Sequence, residues 1–68
     1  MNLVSIGSRI KAERKKLGLS QEKLAEQINV TPHYIYEIER GSKAMSMETL
    51  INLCTVMELS ADYLLFGI

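Results

Sequence analysis

The sequence predicts an all-α fold of five short helices, and three observations carry that prediction. Apolar residues recur at helical spacing along almost the whole chain, and few segments alternate as strands do. Ser20, Thr31, Ser46 and Ser60 are each suited to open a helix, because their side-chain oxygens can accept from the free N–H groups of a first turn. Gly18, Asn29, Gly41 and Gly67 are each suited to close one, because Gly and Asn tolerate the left-handed conformation that ends a helix.

The four openings share a second signature. An apolar residue precedes each cap and another follows four positions after it: Leu19 with Leu24, Val30 with Ile35, Met45 with Leu50, and Leu59 with Leu64. Such pairs can staple the incoming chain to the first turns of the helix. The predicted elements are roughly 4–17, 20–28, 31–40, 46–58 and 60–66.

In the first helix, Asn2 and Ser5 are both candidate caps, and Ile6, Ile10, position 14 and Leu17 form one inward stripe. The second runs from the Ser20 cap to the Asn29 stop. The third opens on Thr31-Pro32: proline suits the first helical position, and the residue before it avoids helical geometry, as a cap should. The fourth and fifth open on Ser46 and Ser60, and Gly67 closes the last. With short connections and no linker, repeat or low-complexity stretch, residues 1–68 are expected to form a single domain.

A chain of 68 residues buries a limited core. Cys54 is its one cysteine, so no intramolecular disulfide can staple it, and His and Cys are too few for a metal-ligand cluster. No metal, cofactor or small-molecule ligand is expected. Packing, helped by self-association, must supply stability. The start MNLVSIGSRIK lacks the basic and long apolar parts of a secretory signal, and no apolar run is long enough to span a bilayer. A cytoplasmic protein with no membrane partner is expected.

Net charge is zero, but its distribution is uneven. All eight Lys and Arg lie in residues 1–43, for a balance of +3, whereas residues 44–68 carry only Glu48, Glu58 and Asp62, for −3. A basic half with one task and an acidic, apolar half with another is the implied division.

Residues 21–41 lay out two short helices joined by a tight turn, the arrangement of a helix-turn-helix, whose second helix enters the DNA major groove. In that second helix Ile35 and Ile38 point inward, leaving His33, Tyr36, Glu37 and Arg40 as the opposite stripe. Glu37 can accept from cytosine N4, and Arg40 can bind a guanine edge or a phosphate, the latter favoured near a helix end. His33 can donate to a base or phosphate, and the Tyr36 ring can cover a thymine methyl. Gln21 can offer its amide to a phosphate at the start of the preceding helix. Thr31 and Tyr34 border the same face; Tyr34 is expected to pack against the second helix and to offer its hydroxyl to the backbone. Ser42 and Lys43 follow in a loop that can meet phosphates, and replacing Lys43 is expected to weaken all DNA sequences about equally.

Two charges interrupt apolar faces. Arg14 stands in the inward stripe of the first helix, and Glu39 lies beside the inward face of the third. A partly buried charge without a partner is costly, so Arg14 and Glu39 are expected to form a two-point bridge that orients the third helix without touching bases.

The segments LGLSQEKLAEQINV from Leu17, YIYEIERG from Tyr34 and LSADYLLFG from Leu59 resemble the lambda-repressor-like family, in the Cro/C1-type (XRE) branch of helix-turn-helix regulators. The resemblance covers nearly the whole chain. It implies a five-helix fold, a phosphate contact at Gln21, base-facing residues at positions 32, 33, 36 and 37, a bridge between Arg14 and Glu39, and backbone contacts after Gly41. Pro32 departs from the family's usual reading side chain, so that contact is lost. Asn29 replaces the usual Gly, and zero net charge implies modest non-specific affinity.

Residues 46–68 have no basic side chain but many large apolar ones. Met57, Leu64, Leu65, Phe66 and Ile68 are expected to supply a two-fold dimer contact, placing two recognition helices about 34–36 Å apart on a near-palindrome. Together these features point to a sequence-specific DNA-binding transcriptional regulator, a repressor or controller protein, with double-stranded DNA and a second copy of itself as partners. The alternative is an antitoxin-like or adaptor protein that binds another protein and uses DNA binding for autoregulation. An enzyme is not expected: His33 is the sole histidine, and neither a nucleophile–base spacing nor a phosphate loop is present.

Overall fold

The computed structural model describes residues 2–68. They fold into α1 (Leu3–Lys16), α2 (Gln21–Gln27), α3 (Pro32–Arg40), α4 (Met47–Met57) and α5 (Ala61–Phe66). Each helix starts where a short polar side chain takes up a first-turn N–H. Asn2 Oδ1 accepts from Ser5 N at 3.1 Å, so Ser5 lies inside α1 and Asn2 is its cap. Ser20 accepts from Lys23 N (3.0 Å), and Thr31, Ser46 and Ser60 accept from the N–H groups of Tyr34, Thr49 and Tyr63, all at 3.1 Å.

Four exits use the Gly and Asn residues named above: φ is +71° at Gly18, +57° at Asn29, +81° at Gly41 and +74° at Gly67. A fifth was not legible in the sequence. Glu58 ends α4 with φ +53°, although a side chain disfavours that conformation. The turn is held because Leu59 N–H closes back on the Cys54 carbonyl at 3.0 Å while the Leu59 side chain packs against the core. The same closure ends α1 and α2, with Leu19 N to Arg14 O at 3.1 Å and Val30 N to Ala25 O at 3.0 Å.

One core joins all five helices. It contains Ile6 and Ile10 from α1, Leu24 and Ala25 from α2 with the adjoining Ile28, Ile35 and Ile38 from α3, Leu53 and Met57 from α4, and Leu64 from α5. The residues expected to staple the helix starts all lie in this core or pack against it. Leu17 does not: α1 ends at Lys16, the chain turns away, and Leu17 is left exposed. The inward stripe of α1 therefore ends at Arg14.

Two assignments in the second half are corrected. Met57 and Leu64 were expected on a dimer face, but they are 5% and 0% exposed and belong to the core. The cause is the placement of α5, which packs on both α1 and α4 and turns Leu64 into the centre of the bundle. Leu65 is half-buried, whereas Phe66 and Ile68 are 56% and 82% exposed.

Contacts to α1 fix the two ends of the bundle. At Gly7 a Cβ would collide with the carbonyl oxygens of Ile38 and Glu39, so only glycine lets α1 approach the last turn of α3 this closely. At the other end Arg9 donates Nε to the Leu64 carbonyl (2.9 Å) and Nη2 to that of Leu65 (3.0 Å). Among the described residues, no helix is long and apolar enough to cross a membrane.

Candidate nucleic-acid interface

Helix α3 is amphipathic. Ile35 and Ile38 anchor it in the core, which turns the opposite side out. His33, Tyr36 and Arg40 are exposed there and Glu37 is half-buried. The His33 and Tyr36 rings stack, with centroids 6.0 Å apart and planes inclined by 23°. Four side chains of different chemistry thus occupy one helix face, the size and form that a major groove accepts.

The helix is oriented from beneath by a charged network. Arg14 donates Nε to Glu39 Oε2 at 2.6 Å and Nη2 to Oε1 at 3.0 Å, in the two-point geometry of a guanidinium on a carboxylate. Its third nitrogen, Nη1, donates to the Leu19 carbonyl at 2.8 Å. Both residues are nearly buried, and no buried side-chain N or O among the described residues lacks a partner. The hydrogen bond to Glu39 raises the Arg14 pKa above its ordinary value, outweighing the opposing effect of burial. Because Leu19 lies in the α1–α2 connection, this one guanidinium ties α1, that connection and α3 together.

Gln21 joins the network, which the sequence did not foretell. Its Nε2 donates to Glu39 Oε1 at 3.0 Å. One amide hydrogen therefore faces inward, which fixes the side chain at the start of α2. Gln21, Tyr36, Glu39 and Arg40 border a shallow concavity together with Lys11. Lys11 was missed by sequence reasoning. The available signal was its place on α1 one turn before Arg14, on the side facing α3.

The loop after α3 is also tied down. The Tyr34 hydroxyl accepts from Ser46 N–H at 3.0 Å, fixing the end of the loop at the start of α4. Tyr34 is half-buried, and its hydroxyl oxygen braces the loop. Ser42 turns back on α3, its N–H and hydroxyl both donating to the Glu37 carbonyl, at 3.1 and 3.2 Å. The Thr31 hydroxyl oxygen caps α3, and Thr31 is exposed at the rim of the face.

Residues 10–64 match the family model described as helix-turn-helix. The chain belongs to the Cro/C1-type helix-turn-helix family. Among curated proteins it is similar to the HTH-type transcriptional regulator ImmR of Bacillus subtilis, with 34% identity over 62 residues, covering 91% of this chain and 49% of ImmR. It therefore spans about half the length of that relative. Two solved structures are similar throughout. The P22 c2 repressor in complex with a synthetic operator gives a TM-score of 0.89 at 36% identity, covering 93% of this chain and 96% of that one. The restriction-modification controller protein C.AhdI from Aeromonas hydrophila gives 0.84 at 32% identity, covering 91% and 94%.

Within this helix-turn-helix chain, Glu37 is a focus of charge. Its Oε1 lies 3.4 Å from His33 Nε2 and 3.9 Å from Lys43 Nζ. Lys43 also sits over the Tyr34 ring, 5.7 Å from the centroid. The outer stripe of α3 thus carries the Glu37 carboxylate between two nitrogen-bearing side chains. Among the described residues no group of His, Cys, Asp and Glu is placed to hold a metal ion.

Proposed function

We propose that this chain is a sequence-specific DNA-binding transcriptional regulator that lays α3 in the major groove of duplex DNA. The observation that carries the proposal is the pairing of a mixed polar face on α3 with a buried bridge, Arg14 to Glu39, that fixes its direction. A helix needs that rigidity to hold several side chains in register with base edges. The likeness to a repressor solved on its operator supports the reading.

His33, Tyr36 and Glu37 read bases, and Arg40 works at the edge of the face. Lys43, Ser42 and Gln21 contact the backbone, Gln21 through the amide hydrogen that Glu39 leaves free. Thr31 sits at the rim, and Tyr34 contributes indirectly by holding the loop that carries Lys43. Residues 1–68 act as one binding unit, working in the cytoplasm, where the DNA is. Two copies meet through Phe66, Ile68 and the half-buried Leu65, and read a near-palindrome.

Selection of bound fragments from random duplex DNA, followed by a salt titration, tests the function. An inverted repeat with half-sites about one helical turn apart is expected, with affinity falling steeply as salt rises. Recovery of no common sequence, with affinity indifferent to salt, would overturn the proposal. Glu37→Ala is expected to change the preferred base at one position of each half-site; an unchanged preference would remove Glu37 from the reading set.

A further inference from the structure

Glu37 and Lys43 have opposite needs at a DNA surface. A carboxylate on the recognition face is repelled by phosphates unless a base donor meets it, whereas a lysine in the following loop is attracted by them. Here the two are paired. Lys43 Nζ lies 3.9 Å from Glu37 Oε1 and 5.7 Å from the centroid of the Tyr34 ring, whose hydroxyl accepts the 3.0 Å hydrogen bond from Ser46 N–H. Val30, Thr31, His33 and Tyr34 wall the same concavity, and the Glu37 side chain is the less exposed partner, at 31% against 55% for Lys43.

We infer that Glu37 holds Lys43 back until an exocyclic base amine, cytosine N4 or adenine N6, replaces it, so that the phosphate contact of Lys43 is made in full where such an amine faces Glu37 and is weakened elsewhere. The inference rests on the DNA-reading assignment above. On a cognate half-site that amine donates to the Glu37 carboxylate, satisfying it, and Lys43 is released to a phosphate. Where the facing base edge presents only acceptors, as guanine O6 and N7 or thymine O4 with its methyl do, nothing replaces the ammonium. Glu37 then holds Lys43 back, and the complex forms with that phosphate contact weakened. Base reading and backbone grip are coupled through a single ion pair, and Glu37 discriminates by what it withholds as well as by what it binds. This changes the expectation for Lys43, since a free lysine would strengthen binding to all sequences alike.

The test is a double-mutant cycle on the full chain, using E37Q, K43Q and the double variant. Binding is measured by fluorescence anisotropy over a series of KCl concentrations, on a random-sequence duplex and on the duplex recovered by selection. On the random duplex, K43Q alone is expected to weaken binding and flatten the salt slope by less than it does on the selected duplex. E37Q is expected to tighten binding several-fold and to steepen the slope by up to about 0.9, the value of one added phosphate contact. Adding K43Q to E37Q is expected to cancel both gains. On the selected duplex, K43Q alone should weaken binding and flatten the slope by about 0.9.

If E37Q tightens random-duplex binding equally with Lys43 present or replaced, Glu37 merely repels phosphates and the sequestration is overturned. If K43Q alone weakens both duplexes equally, Lys43 is free throughout and the inference fails with the DNA-reading function intact. If the unmodified chain binds neither duplex in a salt-dependent way, the functional assignment falls and takes the inference with it.

Discussion

Arg14 and Glu39 meet as a two-point bridge between α1 and α3, with Nε–Oε2 at 2.6 Å and Nη2–Oε1 at 3.0 Å in a nearly dry setting. Two further partners complete the satisfaction of these groups: the carbonyl of Leu19 for the guanidinium, and the amide of Gln21 for the carboxylate. Removing one charge leaves the other buried and unpaired. Arg14→Met and Glu39→Leu are each expected to cost about 3–5 kcal/mol, whereas the double variant should cost less than either single one. Urea denaturation of the four proteins measures this. Strictly additive losses would show that the two side chains do not act as a pair.

Gly7 sits where α1 crosses the end of α3, facing the carbonyls of Ile38 and Glu39. Gly7→Ala would gain about 0.5–1 kcal/mol from helix propensity. The added methyl must push the helices apart, however, which costs about 1–3 kcal/mol and disturbs the bridge alongside. A net loss of stability is expected, with weakened DNA binding, because the recognition helix shifts. A urea midpoint that rose in Gly7→Ala would show that the contact relaxes freely.

Arg9 holds the last turn of α5 through the carbonyls of Leu64 and Leu65. A cation at that end also complements the helix dipole. Arg9→Ala is expected to destabilise the fold by about 1.5–3 kcal/mol, within the range for hydrogen bonds to a charged group. The loss should be local first. Amide hydrogen exchange in residues 61–66 is expected to accelerate before exchange in α1 or α3 does. Uniform acceleration along the chain would contradict a local tie.

The apolar end of the chain divides into core and surface. Leu64 is fully buried, so Leu64→Ala is expected to cost about 2–5 kcal/mol regardless of oligomeric state. Phe66 and Ile68 are mostly exposed, so Phe66→Glu with Ile68→Glu should leave thermal stability at low concentration nearly unchanged while lowering self-association. Sedimentation equilibrium separates the two effects. An unaltered association constant in the double Glu variant would place the contact on another face.

Much of the fold was legible because helix boundaries here are local chemistry. Ser20, Thr31, Ser46 and Ser60 cap within their own first turns, and Gly18, Asn29, Gly41 and Gly67 leave within their own last ones. Glu58 was not legible, because a glutamate takes a left-handed conformation only when packing of the next residue, here Leu59, holds it there. The expectation of a bridge could be drawn from sequence because a charge in an apolar stripe demands an answer. Gln21, Arg9 and Lys11 raised no such demand: each is an ordinary polar residue until the chain brings a distant carboxylate, two carbonyls or a neighbouring helix face to it.

The sequence by itself determined where the helices begin and end, which face of the third helix is apolar, and that Arg14 and Glu39 each needed an opposite charge. These follow from interactions within a few residues, or from the cost of burying a lone charge. The tertiary structure alone decided which apolar residues are used up by the core. Met57 and Leu64 look no different from Phe66 and Ile68 as letters, and the crossing of α5 over α1 and α4 buries the first pair and leaves the second outside. It also decided that the loop after α3 brings Lys43 back to Glu37. The reason is the same in both cases: burial and pairing depend on where separate segments meet, and that is set by the packing of the whole bundle.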